Sequence, residues 1–539
     1  MDANGPITAT DPIAATDPIT ATGPIAANEP ERAWFFDRRD SAALHGLFSG
    51  AVWFVIGVTI GLTMSHELTL PDLFAGIPQL VFSRLRPAHV NMMLFGFLST
   101  AFYGAWYFIV PRLCRIPLQS DRAANILLLL WNITVAAGTI ALMNGDTQGK
   151  EYSEYPWYID WPIELLLIVN AVIIYRTIGA RREPKLYVSL WYIGGTVVWI
   201  AMLYAIGSVI WHPFTTHLRD GQVQYSGSLI GLDDAIWNWF YGHNVFGLYI
   251  TTGGIAIVYY LVPKIVRRPV YSHSMSLIGF WAIALLYAPT GQHHLLQAPI
   301  PNWTKIYAII CSVALIVPVF TQSTNIFMTM RGQWGMIFDN IPLRFVLTGS
   351  FFYLAASFQG SIQSLMTVNK FVHFTQWTIA HAHLALLGGF GFLASGAMLY
   401  MIPQILRRPI WSRNLADAQY WLMLLGLTGF FWALTAAGLA QASAWTNVGQ
   451  QIVKSFIVVK PYFYLRSAFG GMIWVGAIMQ LVNVAMTLRQ PAENTRAERI
   501  ARIARVEEIP LTPILGEPEA PCVPRMGRQD QWTGCVLSV

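Results

Sequence analysis

Twelve stretches of this chain stay apolar for about twenty residues at a time, long enough for each to cross a bilayer core of roughly 30 Å as a helix. They fall near 43–64, 89–111, 123–143, 161–179, 187–211, 232–262, 274–295, 304–328, 343–366, 375–404, 417–442 and 466–488. A backbone in hydrocarbon must satisfy its own N–H and C=O groups. The expected fold is therefore all-α: a polytopic membrane protein of twelve transmembrane helices, forming one membrane domain over residues 41–490 in contact with the lipid bilayer. Residues 5–28 are four proline-bearing hexapeptides, GPITAT, DPIAAT, DPITAT and GPIAAN. With so little bulk to bury, 1–40 reads as a disordered arm. The segment 491–539 begins charged, turns Pro-rich and reads as a mostly irregular tail.

The loop charges orient the bundle. Loops after the even-numbered spans carry fifteen lysines and arginines, Arg112, Arg181 and Arg407 among them, against nine on the other side, such as Arg86, Lys150 and Arg466. The positive-inside rule then places both termini in the cytoplasm. These loop residues account for the net charge of +6, and nothing points to a nucleic-acid partner. The first apolar stretch starts near residue 43 and is too long for a cleavable signal peptide. None of the four cysteines (Cys114, Cys311, Cys522, Cys535) sits in a CxxCH or CxxC motif, so the chain carries no covalent c-type haem site of its own. No structural disulfide is expected.

Six of the twelve histidines fall in or beside apolar stretches, where a polar side chain is costly and functional by default. His381 and His383 are two residues apart, so on a helix their rings leave about 200° apart. Such a pair cannot easily share one metal, but it can hold two flat cofactors, one on each side. His293 and His294 are adjacent, about 100° apart, and can converge on one ion. On the charge-derived topology these four, His89 and His243 all lie at similar depth in the outer half of the membrane. The three nitrogens of His243, His293 and His294 suit copper or another divalent metal with an open position. His381 and His383 would each take a haem iron, with His89 as second axial ligand to one. A bis-His haem is closed and suited to electron transfer, whereas a haem with one histidine is open. His45, His66, His212, His217 and His273 lie near loops or ends and are read as structural.

The histidines sit in LRPAH (85–89), FYGHN (240–244), LYAPTGQHH (286–294) and WTIAHAH (377–383), and two further motifs, QGKEY (148–152) and WYID (157–160), lie between them. From about residue 45 to 488 the chain resembles the catalytic subunit of haem–copper oxygen reductases, most of all the cbb3-type cytochrome c oxidases of bacterial inner membranes. The resemblance implies a low-spin haem b on His89 and His383, a high-spin haem b on His381, and CuB on His243, His293 and His294. It implies that Tyr287 is a redox-active tyrosine cross-linked to His243. On a continuous helix Tyr287 and His294, seven residues apart, would share a face. The series Ser276, Tyr259, Thr251 and Tyr287 resembles the family's single proton channel, and no acidic pair suggests a second. Arg86 and Arg466 are placed to meet haem propionates, and Glu151 resembles a calcium ligand.

The implied activity is reduction of O2 to water coupled to proton translocation. Electrons would come from membrane-anchored c-type cytochrome subunits, monohaem and also dihaem, docked near spans 2 and 10. Two positions depart from the family pattern: Gln359 stands where a glutamate is usual, and Gln376 where an aspartate is usual. The stretches VNMMLFGF after His89 and LALLGGFG after His383 drift towards nitric oxide reductases, so reduction of NO to N2O is the alternative. Those enzymes place a glutamate at the position of Gly247 and lack the tyrosine. A proton-coupled transporter is a third reading; no inverted repeat and no acidic residue near mid-membrane supports it.

Overall fold

A computed structural model of the chain describes residues 35–490 apart from 212–214, 220, 221, 227, 448 and 450. The hexapeptide repeats and the tail from 491 lie outside the described residues, as do Cys522 and Cys535. Residues 35–40, assigned from sequence to the arm, hold a short 3-10 turn, Phe35–Asp37, and Asp40, whose carboxylate pairs with Arg112 at 2.9 Å.

Among the described residues eleven helices are long and apolar enough to cross a membrane, and a twelfth is shorter. In chain order the spans are α1 (Ser41–Glu67), α2 (Phe82–Cys114), α3 (Asp121–Asn144), α4 (Trp157–Gly179), α5 (Val188–Val209), α6 (Gly231–Val266), α7 (His273–Leu286), α8 (Asn302–Thr329), α9 (Ile341–Gln363), α10 (Gln376–Leu406), α11 (Arg413–Thr446) and α12 (Ile452–Arg489). The exception in length is α7, whose 14 residues rise only about 21 Å. The continuous helix expected over 274–295 does not form. Pro289 and Gly291 follow Leu286, and the chain turns into a 3-10 segment, Thr290–Leu295, that carries His293 and His294. The only described strands, β1 (Thr215–Arg219) and β2 (Gln222–Ser226), form an antiparallel hairpin in the loop between α5 and α6. The membrane domain itself is all-helical.

Burial separates the spans into two classes. In the most apolar window of α2 and α6, 94% is buried, and in α10, 83%, against 39% in α1, α3, α8 and α12. The three innermost helices are the ones carrying His89, His243, and the His381–His383 pair. They also share a pattern that the sequence reading missed. Each passes into a π-helical segment just after its last site histidine: Met92–Leu98, Val245–Thr251 and Leu384–Gly391. Such insertions cluster at functional sites. Each then ends on the same device, PRLCR, PKIVR or PQILR: a proline followed four residues later by a left-handed arginine, Arg115, Arg267 or Arg407, with φ near 54°. In every case the arginine N–H donates to the proline carbonyl. A proline also frees the carbonyl four residues upstream; for Pro263 that is Tyr259, whose oxygen accepts the Tyr187 hydroxyl at 2.7 Å.

Small residues let the helices close up, as is usual where lipid gives no hydrophobic drive between helices. Gly46 of α1 lies on Gly104 of α2, where a Cβ would come within 2.7 Å of backbone atoms. Gly253 and Gly254 of α6 receive Trp106 of α2 and Phe390 of α10, which brings the three inner helices together. Gly46→Leu should lower stability by about 1–3 kcal/mol or prevent assembly. Thermal unfolding in detergent checks this, with Gly335→Ala, which meets nothing within 4 Å, expected to match the parent.

Candidate functional site

The three-histidine cluster forms. The ligand atoms of His243, His293 and His294 all lie within 4.8 Å of one another, the only such group among the described residues. His243 comes from α6, two residues before its π segment starts, and the other two from the 3-10 turn after α7. His243 Nδ1 is 3.2 Å from His294 Nε2, close to the edge between two ligands that are each about 2 Å from one tetrahedral metal. The surroundings orient the rings: His294 stacks on Trp239 at 3.8 Å, and His293 Nδ1 is 2.7 Å from the Ser312 hydroxyl of α8. His243 Nε2 is buried without a polar partner.

Tyr287 joins this cluster through the turn rather than along a helix face. It caps α7, its ring centre is 5.4 Å from that of His243, and Thr251 of α6 hydrogen-bonds to it. The ring lies directly on Gly247, where a Cβ would collide with its edge. A side chain at 247 and the Tyr287 ring are therefore mutually exclusive.

The second subsite pairs His89 with His383, whose rings are 6.4 Å apart between centres and within 16° of parallel. Two bonds of about 2 Å to one metal, with about 1 Å from each ring centre to its nitrogen, account for such a gap. In each ring Nδ1 faces a carbonyl, Gly57 O at 2.8 Å and Ile379 O at 2.9 Å. A carbonyl only accepts, so Nδ1 carries the proton and Nε2 keeps its lone pair for a metal. Gly61 makes room, since a Cβ there would be 2.6 Å from the His89 ring. His381 is oriented likewise: its Nδ1 is 3.3 Å from Gln359 Oε1 on α9. It lies close enough to His243 for their charges to interact.

Two arginines flank the paired rings. Arg466 of α12 is 4% exposed, its Nε has no partner, and it forms no ion pair among the described residues. A buried cation left so is strongly unfavourable and calls for an anion. Arg86 pairs with Glu151 and, at 3.0 Å, with Glu154, which Asn91 of α2 also contacts at 2.8 Å. Burial pushes the Glu154 carboxyl up, against the opposing pull of Arg86 and Asn91. The loop 145–156 is bound down at nearly every residue. Lys150 pairs with Asp234 at 3.1 Å, the Tyr152 carbonyl accepts the Tyr241 hydroxyl, and Ser153 meets Ser208.

The proposed proton series is brought together only in part. Thr251 reaches Tyr287. Tyr259 accepts from Asn325 of α8 at 3.4 Å, and Asn325 in turn donates to the Ser272 carbonyl. Ser276 donates to its own helix at His273 O. The sequence reading missed Tyr353 of α9, which lies near both Tyr287 and Tyr259 and lines a cavity with Gln322 and Ser350. It also passed over two buried acids in α4, Asp160 and Glu164. Asp160 accepts the Tyr204 hydroxyl at 2.6 Å, and one oxygen of Glu164 has no partner. A carboxylate inside an apolar run was the available signal. At the second departure, the Gln376 N–H donates to Gln441 and its side-chain oxygen is buried without a partner.

Comparison with known proteins is consistent with this layout. Residues 41–495 match the family described as cytochrome c and quinol oxidase polypeptide I. The cytochrome c oxidase subunit 1 homolog, bacteroid, of Bradyrhizobium diazoefficiens is 31% identical, covering 82% of this chain and 81% of that protein. The cbb3-type cytochrome c oxidase subunit CcoN1 of Stutzerimonas stutzeri is 30% identical over 84% of this chain and 95% of its own. A solved haem–copper terminal oxidase dimer shares the fold, with a TM-score of 0.71 over 84% of this chain and 85% of that one, at 17% identity. If the histidine cluster is a metal site, His294→Ala should lower its metal content at least about tenfold while the unfolding midpoint stays close to the parent's. Elemental analysis that finds the metal undiminished would remove the cluster from consideration.

Proposed function

The chain belongs to the cytochrome c and quinol oxidase polypeptide I family, and from that premise we propose that it is the catalytic subunit of a cbb3-type oxidase reducing O2 to water, coupled to proton translocation. It is a multi-pass membrane protein. The observation that carries the reading is Tyr287 packed on Gly247 beside His243. The space that nitric oxide reductases give to a glutamate is filled here by a phenol.

The residues fit the implied groups. His89 and His383 would hold a low-spin haem b, His381 a high-spin haem b, and His243, His293 and His294 a copper ion; when bound, these groups supply the electrons and the site for O2. What the chain's own residues do follows from their contacts. Gly57 O, Ile379 O and Gln359 fix the three haem-side imidazoles in one tautomer. Gln359 takes the place of the family glutamate as a neutral acceptor, so orientation of His381 is kept while an ionisable group is lost. Trp239 and Ser312 hold the copper-side rings. Reduction of one O2 takes four electrons and four protons. The Tyr287 hydroxyl, with Thr251 beside it, can release a proton and its ring an electron, which completes the four. His243 Nε2, buried and unpaired, is the atom available for a covalent link to that ring.

Protons would reach Tyr287 from the arginine-rich end along Ser276, Tyr259 and Thr251, with Asn325 and Tyr353 as further steps. Arg86 and Arg466 would meet haem propionates, the latter because it is a buried cation without an ion pair. Calcium at Glu151 has thinner support: that carboxylate is engaged by Arg86, and calcium needs six to eight oxygens. Electrons would come from membrane-anchored c-type cytochrome subunits at the histidine end, which is the outer side on the charge-derived topology, with both termini cytoplasmic.

Tyr287→Phe should abolish O2 turnover while the visible haem spectrum persists; normal turnover in that variant would sink the mechanism. Metal analysis of the parent should give one copper per two haem irons. Three irons without copper would instead identify NO reduction, and a colourless preparation a transporter. Gln359→Leu removes the acceptor for His381 Nδ1–H and should cut turnover about 10- to 100-fold, with Gln359→Glu recovering most of it.

A further inference from the structure

Among the described residues five helices exceed 30 residues, and two of them, α11 and α12, are consecutive and pack together as a hairpin. α11 has 34 residues and α12 has 38, about 51 and 57 Å at the helical rise, whereas a hydrocarbon core is about 30 Å thick. The excess stands at the histidine end. Gly438 of α11 is level with the start of α10, where it touches the Trp377 backbone. Leu68, just past the end of α1, packs against Val459 and Phe463 of α12. Residues beyond Gln441, which still accepts the Gln376 N–H, and before Val459 on the other helix therefore form a tip that projects past α1 and α10.

Inside the tip the two helices bury Ala442, Ser455 and Val459. The outside of the α12 end is apolar and uncovered: Ile452 is 63% exposed, Val453 78%, Phe456 41% and Ile457 76%. These positions, spaced i, i+1, i+4 and i+5, share one helix face, flanked by the exposed Lys454 and Lys460. Lipid tails do not cover this face, because the apolar stretch 466–488 of the same helix already spans the hydrocarbon. Beneath it lie two groups of packed side chains, the second of which reaches His383. The Phe456 and Phe463 rings are 6.3 Å apart, the Arg466 guanidinium is 5.8 Å from the Phe430 ring, and Phe430 is 4.7 Å from His383.

We propose that the tip of the α11–α12 hairpin is the docking surface for the electron-delivering partner: an outer-side redox protein with an apolar contact face rimmed by acidic side chains that meet Lys454 and Lys460. The proposal rests on the reading that electrons reach the His89–His383 pair from another protein. In each transfer the partner's redox group loses one electron and the group held by that pair gains one. It moves the docking site from spans 2 and 10, where the sequence placed it, to spans 11 and 12.

The test uses the gently solubilised complex with Val453→Glu/Ile457→Glu, which puts two charges on the exposed face. The covalent-haem band that copurifies and the turnover of O2 should each fall at least tenfold. The b-type haem bands of the dithionite-reduced spectrum should match the parent's, which shows that the chain still folds and holds its own haems. Phe338→Glu, at a residue 73% exposed at the opposite end, should keep the partner and the rate. Full retention of the covalent-haem band and of turnover in the double variant overturns the docking site alone. A drop from dimer to monomer by native mass spectrometry, with the covalent haem retained, overturns it in favour of a second copy of this chain. A parent preparation that turns over O2 with no covalent haem at all overturns the underlying reading of the electron source, and the docking proposal with it.

Discussion

An imidazole in a membrane interior must have both nitrogens engaged, and the rest of this structure follows from how that is arranged. His89 and His383 each commit Nδ1 to a backbone carbonyl, and His381 commits Nδ1 to Gln359. What is left is a set of nitrogens pointing into shared space, two facing one another across a flat gap and three gathered within 4.8 Å. Within the second group His243 Nδ1 and His294 Nε2 face each other at 3.2 Å, and His243 Nε2 is buried without a partner. A buried polar group without a partner costs about 1–3 kcal/mol, so the fold is one that metals complete. The helices that pay this cost are the most buried of the bundle.

The recurrence across α2, α6 and α10 shows how one local solution is used three times. Each helix carries its histidine in its N-terminal half, inserts a π segment, and closes on a proline and a left-handed arginine. The π segment changes the angular phase of everything after it. Thr251 and Tyr259, eight and sixteen residues past His243, do not follow the face that a uniform α-helix would give them. Thr251 ends up on Tyr287 and Tyr259 on Asn325. A glycine inside one of these segments, Gly247, is where the ring of Tyr287 comes to rest.

The family assignment, the all-helical membrane class and the role as an oxidase subunit were legible in the motifs, because HAH, HH and LRPAH within apolar runs have few other physical meanings. Less legible was the route by which Tyr287 approaches the three-histidine cluster. Spacing alone suggested two turns of one helix, whereas Pro289 and Gly291 break the helix and the 3-10 turn brings the groups together instead. Asp160 and Glu164 were also missed: a carboxylate in an apolar run is visible in sequence, but whether it is buried against a tyrosine or open to a loop is not.

The amino-acid sequence by itself determined the all-helical membrane class and came close to the number of crossings, twelve expected against eleven helices of sufficient length among the described residues, since hydrocarbon thickness and the 1.5 Å rise per residue convert run length into span. It also determined which side chains are too costly to be incidental at membrane depth. Only the tertiary structure decided which of those side chains meet. That depends on helix phase, which a π turn can change, and on close approaches at glycines such as Gly46, Gly247 and Gly438. Arg466 shows the division plainly. Its sequence context marks only a charge at the start of an apolar run, whereas its burial beside Phe430 and His383, with no ion pair among the described residues, comes from the packing of α12 on its neighbours.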